Sequence, residues 1–207
     1  MMMKLIAVTS EEFSNGEPDA INMLFENGLD ILHFRKPYAS YDETERFIEK
    51  IDAAFHRRVV LHDNYELATE FGLKGIHLNR RSIAMDLADA RRVQLSTSRS
   101  CHSFEEVVSS QGFDYVFLSP IFDSISKVGY SRGFTPEQLS DAWRKGIINE
   151  KVVALGGITS DNIATVSQYG FGGVAVLGAL WDDFANDNNT DDLLRRFNEL
   201  KTKCREE

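Results

Sequence analysis

Eight short apolar runs recur along the 207-residue chain, and most of them are rich in β-branched residues. Each run is four to six residues long and is followed by a polar or glycine-containing break. Stretches with helical spacing of apolar residues lie between them. Short apolar runs of this kind are typical of parallel strands that are buried on both faces. The runs occupy residues 4–9, 30–35, 58–62, 75–78, 92–96, 114–118, 151–155 and 173–177.

This alternation of strand and helix signals predicts a parallel α/β fold, because parallel strands need a crossover segment that is usually a helix. Eight such units follow one another with no break in composition and no linker. An open doubly wound sheet usually has fewer units, so the pattern favours a closed (β/α)8 TIM barrel, formed by one compact domain over residues 1–207. Segment 119–134 is a long predicted loop, and a long loop in so lean a barrel is usually functional.

The charge balance narrows the range of partners. Lys and Arg total 23 against 32 Asp and Glu, a formal net charge of −9. A surface of this sign repels phosphate backbones and anionic lipids, so we expect neither a nucleic acid nor a membrane as partner.

The two cysteines, Cys101 and Cys204, form neither a disulfide framework nor a metal motif. The apolar start is too short for a signal peptide, which predicts a cytoplasmic protein; a homo-oligomer is left open.

Polar residues follow the second and third runs, where the strands of a barrel end and its chemistry collects. His33 and Arg35 occupy alternate positions, so both should point into the barrel mouth. An inward arginine needs an anionic partner, which is either a ligand or an acidic neighbour. His62 and Asp63 end the third run. We assign His33, Arg35 and His62 to ligand contacts, and Asp63 is either a site residue or the N-cap of the next helix.

A histidine follows the predicted fifth strand. His102 lies at the start of a helix near the barrel rim, where the partial positive charge of the helix N-terminus favours a neutral imidazole. Such a group can exchange protons with a ligand near pH 7, although a capping or surface role explains the same position. Cys101 beside it is interpreted as a packed small residue, since no second motif supports a nucleophilic cysteine.

Small residues follow the last two runs and predict an anion site. Glycine lets backbone N–H groups approach a ligand closely, and barrels frequently bind phosphate at these two loops. The residues are Gly156 and Gly157 after the seventh run, and Gly178 and Ala179 after the eighth. The long loop adds side chains that either close over an anion or lie in solvent, namely Ser124, Ser126 and Lys127.

Taken together, these segments resemble the superfamily of thiamine phosphate synthase and thiazole tautomerase, from Ile6 to Trp181. The resemblance implies a barrel enzyme of thiamine biosynthesis whose small-molecule substrate is a thiazole phosphate. The segments that carry it are HFRKP at 33–37, HDNYELA at 62–68, KGIHL at 74–78, SRSCHS at 98–103, DYVFLSPIFDSISK at 114–127 and VALGGITSDNI at 153–163.

The synthase branch joins an aminopyrimidine diphosphate to a thiazole phosphate and releases diphosphate, with Mg²⁺ as counter-ion. Several residues match what the resemblance implies for that branch: an arginine after the second strand, a metal-binding aspartate after the third, and hydroxyl and lysine positions further on. They are Arg35, Asp63, Ser100, Ser124, Ser126 and Lys127.

Other positions depart from the synthase pattern. Pro37 stands where a second basic residue is expected, although Lys36 is adjacent. His62 replaces an asparagine, and Ser82 falls near the position of a second metal-binding carboxylate. A single carboxylate is a poor Mg²⁺ site, so these departures count against the synthase.

The tautomerase branch shifts a proton on a thiazole carboxylate phosphate without a metal. Its resemblance rests on RSCHS at 99–103, whose histidine is the branch's proposed acid–base group and carries over to His102. The phosphate would rest on the four small residues after strands seven and eight, and Arg35 or Lys127 would hold the carboxylate. We therefore predict a cofactor-free thiazole tautomerase. The alternatives are the Mg²⁺-dependent synthase and, second, a non-catalytic module that binds a thiamine precursor.

Overall fold

The computed structural model describes residues 3–78, 87–122, 133–182 and 184–206. Eight parallel strands form a closed barrel in chain order, with β8 paired to β1, which confirms the predicted (β/α)8 fold. The strands are β1 (Lys4–Val8), β2 (Ile31–Phe34), β3 (Val59–Leu61), β4 (Gly75–Leu78), β5 (Ser96–Cys101), β6 (Tyr115–Leu118), β7 (Val152–Leu155) and β8 (Gly173–Val176).

Helices follow the strands and cover the outside of the barrel. Within the described residues, none of them combines the length and apolar character that a membrane span requires. They are α1 (Glu17–Glu26), α2 (Tyr41–Ile48), α3 (Glu66–Glu70), α4 (Leu87–Arg92), α5 (Phe104–Ser109), α6 (Pro136–Arg144), α7 (Ile163–Ser167), α8 (Gly178–Trp181), α9 (Phe184–Asp187) and α10 (Thr190–Arg205), with a 3₁₀ helix at Ala53–Arg58.

Alternate residues of the strands divide between two apolar clusters. The larger cluster lies between the barrel and its helices and includes Leu5 and Leu32. Register pairs His33 with Val8 on one side and with Val60 on the other, so these residues share the inner face, as the alternation predicts for His33. The smaller cluster fills the inside of the barrel with Ile6, Val8, Ile31, Val60, Phe117, Val153 and Ala175.

The fifth strand lies later in the chain than predicted. The sequence pattern placed it at 92–96, but α4 ends at Arg92 and β5 spans Ser96–Cys101. The inner face of β5 carries Ser98 and Ser100, whose hydroxyls lie 2.9 Å and 3.1 Å from the two ring nitrogens of His77. Because this strand satisfies polar side chains inside the barrel, its apolar signal is weak. Cys101 is fully buried, as predicted for a packed residue.

A buried ion pair joins the end of β2 to the first helix. The Lys36 ammonium lies 2.8 Å from both carboxylate oxygens of Glu17 and donates to the carbonyl oxygen of Glu12. Burial lowers the pKa of Lys36 and raises that of Glu17, and the partner's charge opposes each shift. Lys36 is therefore occupied away from the mouth and does not replace the basic residue missing at Pro37.

Lys36→Met is expected to lower the free energy of unfolding by about 3–5 kcal/mol, because the Glu17 carboxylate would stay buried without its cation. Urea unfolding at neutral pH measures this. The double variant Lys36→Met with Glu17→Leu should recover part of the loss, since it buries no charge. As a control, Arg195→Gln removes two surface ion pairs, to Asp192 and Glu199, and should change the stability by less than about 1 kcal/mol. A Lys36→Met effect as small as the control contradicts the prediction.

Candidate active site at the carboxyl end of the barrel

Three histidines lie side by side inside the barrel, on or directly after three consecutive strands. His33 is on β2, His62 follows β3 and His77 is on β4. His33 Nδ1 and His62 Nε2 are 2.9 Å apart and form a hydrogen bond in which one ring donates and the other accepts. The rings of His62 and His77 stack with their centroids 4.2 Å apart. The side chains are 0%, 7% and 2% exposed, so His62 is the most accessible of the three.

Burial lowers the pKa of all three imidazoles, because a cation is costly to remove from water. For His77, burial together with the charges of Arg35 and Arg99 lowers the pKa to about 3. The pKa values of His33 and His62 also fall well below the ordinary 6.5, again chiefly because of burial. At neutral pH each ring therefore carries one N–H donor and one acceptor nitrogen.

Arg35 lies at the rim of the barrel. Its Nη1 is 2.7 Å from Glu11 Oε1, and the two side chains are 32% and 42% exposed. Its charge contributes to the low pKa values of His62 and His77. The acidic neighbour considered for Arg35 is therefore present. An exposed pair of this kind contributes only about 0.2–1 kcal/mol, so an anionic ligand can exchange with Glu11.

His102 follows the last residue of β5 and is exposed at the rim. Its Nδ1 donates to the carbonyl oxygen of Ser119 over 3.0 Å. A carbonyl only accepts, so this contact fixes the proton on Nδ1 and leaves Nε2 unprotonated in the neutral ring. The backbone N–H of His102 donates to Glu106 Oε2 over 2.6 Å. The ring is thus held in place through Nδ1, and Nε2 is its acceptor nitrogen.

The predicted phosphate loops follow two adjacent strands, since β7 pairs with β8. Gly156 and Gly157 have φ values of +96° and +65°, which favour glycine. A Cβ at Gly156 would also lie 2.9 Å from the Cα of Pro120, so packing gives a structural reason for this residue. Gly178 and Ala179 open α8. Both loops lie at the end of the barrel where we predict the phosphate site. The contacts between these loops and a phosphate remain a prediction.

The structure gives different outcomes for the remaining predicted site residues. Asp63 is half-buried, and α3 begins at Glu66 with no side chain capping it, so Asp63 is not its N-cap. A Cβ at Gly178 would lie 2.8 Å from Asp182 Oδ2, which puts a carboxylate beside one of the phosphate loops. Ser82 and three of the predicted ligand residues, Ser124, Ser126 and Lys127, lie outside the described residues.

Comparison with models of known protein families shows which family this chain belongs to. A family model described as thiamine monophosphate synthase matches residues 5–180. This chain belongs to that family. Its enzymes act in thiamine biosynthesis, as the sequence resemblance implied.

Named relatives of the thiamine monophosphate synthase family agree with this placement. The chain is 27% identical to thiamine-phosphate synthase of Geobacillus kaustophilus over 175 residues, covering 78% of this chain and 76% of the relative. It is 28% identical to that of Listeria welshimeri over 187 residues, covering 84% and 89%. A solved thiamine phosphate pyrophosphorylase from Bacteroides thetaiotaomicron is 42% identical, with a TM-score of 0.85 and 97% of each chain covered.

Sequence reasoning missed part of the interior of this family member. His77, Ser98 and Tyr115 all point inward, and the Tyr115 hydroxyl lies 2.7 Å from His33 Nε2. The available signal was alternation: His77 comes two residues after Gly75 in β4, as His33 comes two after Ile31 in β2. The pairing register, which places Ser98 opposite both His77 and Tyr115, is a property of the closed sheet.

Proposed function

We propose that this protein binds a thiazole phosphate at the carboxyl end of its barrel and moves a proton on the ring, as a thiazole tautomerase. Family membership supports the thiazole phosphate as the substrate class. The observation that carries the reaction type is the His102 imidazole, held at the rim through Nδ1 with Nε2 kept for the ligand.

A proton shift of this kind needs a group that removes a proton from one ring position and returns it at another. An imidazole is suited to both steps, because its ordinary pKa lies near neutrality. In this proposal the phosphate rests on the backbone of the loops after β7 and β8, as in many barrels. Arg35 holds the substrate carboxylate by exchanging its exposed partner Glu11. The reaction breaks one C–H bond and forms another within the substrate, so it needs no cofactor.

The condensing synthase is the second candidate, and the names of the relatives favour it. That reaction uses Mg²⁺ to neutralise diphosphate. The residues described here fit the ion poorly: Asp63 is the matching carboxylate, but His62 offers an imidazole already bonded to His33 where an oxygen donor is expected. Lys36, which is adjacent to Pro37 in the sequence, is bound to Glu17. For these reasons the tautomerase stays our first proposal.

One assay separates these readings. The protein is incubated with thiazole carboxylate phosphate, with and without aminopyrimidine diphosphate and Mg²⁺, and the products are followed by NMR and diphosphate detection. We expect isomerisation that EDTA does not inhibit, and we expect Asp63→Asn to retain the rate within about threefold, since no metal step depends on this carboxylate. Mg²⁺-dependent diphosphate release that Asp63→Asn abolishes would instead establish the synthase. Tight binding without turnover would identify a non-catalytic module.

A further inference from the structure

His62 lies at the carboxyl end of the barrel, opposite Arg35 on the neighbouring strand. Its backbone N–H donates to the carbonyl oxygen of Phe34 over 3.1 Å, which continues the pairing of β2 with β3 by one residue. Alternate residues of a strand share a face, so His62 follows Val60 on the inner face of the sheet. His62 is therefore next to the residue that holds the substrate carboxylate in the proposed function.

The acid–base histidine lies on the same rim. His102 follows β5, and β4 separates that strand from β3. Since neighbouring strands lie about 4.8 Å apart, the two strand ends that carry His62 and His102 are separated by about 10 Å. A five-membered ring with a side chain on either side fits this span.

Two contacts fix the orientation of the His62 ring. Its Nε2 is 2.9 Å from His33 Nδ1. One face of the ring stacks on His77, with the centroids 4.2 Å apart and the planes inclined by 16°. Nδ1 of His62 lies on the other side of the ring from Nε2 and points away from His33. What this ring offers to a ligand then depends on which nitrogen carries the proton.

The Tyr115 hydroxyl determines where that proton lies. It is 2.7 Å from His33 Nε2, a length typical of a hydroxyl donor, and an imidazole nitrogen accepts more strongly than a phenol oxygen. Burial raises the pKa of Tyr115, so the hydroxyl keeps the proton that it donates. His33 then accepts at Nε2 and donates from Nδ1 to His62 Nε2. The neutral His62 therefore carries its own proton on Nδ1.

His77 is bonded differently. Its Nδ1 is 2.9 Å from the Ser98 hydroxyl, and its Nε2 is 3.1 Å from the Ser100 hydroxyl. A serine hydroxyl donates and accepts, so either tautomer of His77 satisfies both contacts. The direction of the hydrogen bonds is thus set for His62 and His33 by the tyrosine, whereas the serines set none for His77.

We propose that His62 is a further catalytic residue, whose Nδ1–H donates to the substrate atom on which negative charge develops, and that His33 and Tyr115 are positioning residues that keep it in this donor form. The inference rests on the proposed function, because the charge appears only when His102 removes a proton from carbon. The acceptor is a ring nitrogen or a carboxylate oxygen of the thiazole. A donor fixed before the reaction stabilises the charge of the transition state more than the neutral ground state.

The step balances with His62 acting as a donor only. His102 Nε2 takes the proton from one carbon, and the electron pair of the broken C–H bond moves through the conjugated system onto the acceptor atom. The hydrogen bond from His62 strengthens at this point, and its proton stays on Nδ1. The pair then returns to a second carbon, which receives the proton from His102. One C–H bond breaks and one forms, with no oxidant or reductant.

The charge state of the inner rings agrees with this role. Burial lowers the pKa of His33 and His62 well below 6.5, so both rings are neutral at neutral pH. A cationic His62 would also direct Nε2–H at the Nδ1–H of His33, and the hydrogen bond between them would be lost. A neutral imidazole stabilises developing charge by hydrogen bonding and does not protonate the intermediate.

A transition metal is the other ligand that three neighbouring histidines suggest, since one nitrogen from each ring lies within 4.8 Å of the others. The rings of His62 and His77 are nearly parallel in their stack, so their in-plane lone pairs do not converge on one ion. His33 and His77 also use both nitrogens in hydrogen bonds. The arrangement therefore favours a hydrogen-bond donor over a metal site.

Two substitutions at His62 test the donor. His62→Ala removes it, whereas His62→Asn keeps an N–H group one bond beyond Cγ, where Nδ1 lies in histidine. We expect His62→Ala to lower kcat for isomerisation by about 10²-fold with a smaller change in KM, and His62→Asn to stay within about tenfold of wild type. A side chain that only fills space would give the same loss in both variants.

Tyr115→Phe tests the positioning residues, because it removes the hydroxyl that orients His33 and leaves His62 in place. In ¹⁵N-histidine NMR, His62 of wild type should carry its proton on Nδ1 alone. In Tyr115→Phe the Nε2–H form of His62 should appear, and kcat should fall by about tenfold with KM nearly unchanged.

The matched control is Tyr65→Phe. It removes a buried hydroxyl that donates to the carbonyl oxygen of His77 and makes no contact with His33. This variant should leave the tautomer of His62 unchanged and keep the rate within about threefold of wild type.

The outcomes are distinct. If wild type isomerises the thiazole but His62→Ala and Tyr115→Phe behave like Tyr65→Phe, His62 is not catalytic and the proposed function stands. A wild-type His62 protonated on Nε2, a His62→Asn variant as slow as His62→Ala, or one tightly bound transition metal per chain also overturns the inference. If wild type does not isomerise, the proposed function and the catalytic role of His62 fail together, and a proton found on Nδ1 still supports the positioning by His33 and Tyr115.

Discussion

His102→Ala should lower the rate of thiazole isomerisation by about 10²- to 10⁴-fold, the range that a positioned acid–base group contributes. The neutral ring has its proton on Nδ1, bonded to the carbonyl oxygen of Ser119, so Nε2 is the nitrogen that receives the substrate proton. Alanine removes that nitrogen and leaves the phosphate loops and Arg35 in place. Steady-state kinetics should therefore show a loss in kcat and a nearly unchanged KM.

A second variant separates chemistry from positioning. His102→Asn keeps an N–H donor that can reach the Ser119 carbonyl oxygen, but it lacks a basic nitrogen. We expect it to be as inactive as His102→Ala and as stable to heat as wild type. If the asparagine variant keeps most of the activity, His102 only orients the 119–122 segment, and the acid–base assignment is wrong.

Acidification should destabilise the protein strongly, starting near pH 6.5. In the unfolded chain each histidine gains a proton near its ordinary pKa of 6.5, whereas in the folded barrel the three buried imidazoles stay neutral to much lower pH. The unfolded state therefore binds more protons, and the free energy of unfolding falls as the pH is lowered. For His77, with a folded pKa of about 3, the loss between pH 6.5 and pH 4.5 is about 2 kcal/mol. His33 and His62 add losses of the same sign.

Urea unfolding at several pH values between 7.5 and 4.5 measures this effect. His77→Gln keeps a donor and an acceptor but does not titrate. The free energy of unfolding of this variant should therefore fall less steeply as the pH is lowered, and the difference in slope should correspond to about one proton. Carboxylates titrate equally in both proteins and cancel in the comparison. Equal slopes for wild type and His77→Gln would mean that His77 is not held neutral by the fold.

The barrel itself was predictable because its signal is repeated. Each strand is buried on both faces, so an apolar run alone identifies most of the strands. Eight such runs in sequence are compatible with few topologies. The fifth strand was misplaced for the opposite reason. Ser98 and Ser100 point inward as hydrogen-bonding partners of His77, and a polar inner face does not register as an apolar run.

The site was predictable only in part. The alternation of side chains along β2 correctly placed His33 on the inner face. The order of strands in the predicted barrel placed the loops after β7 and β8 side by side. The exposed partner of Arg35 and the burial of Lys36 depend on where the β1–α1 segment folds, and no local pattern encodes that. The N-cap considered for Asp63 was wrong because α3 begins later than the local pattern indicated.

The sequence by itself determined the repeat of strands and helices, the family, and the residue types available at each strand end, because these follow from local periodicity and motif. Only the tertiary structure decided which of those residues meet. Closing the sheet sets one register for all eight strands, and that register brings three histidines, two serines and a tyrosine from five strands or strand ends together inside the barrel, in two hydrogen-bonded groups. Such contacts join residues up to 82 positions apart, and their existence depends on the curvature of the whole barrel.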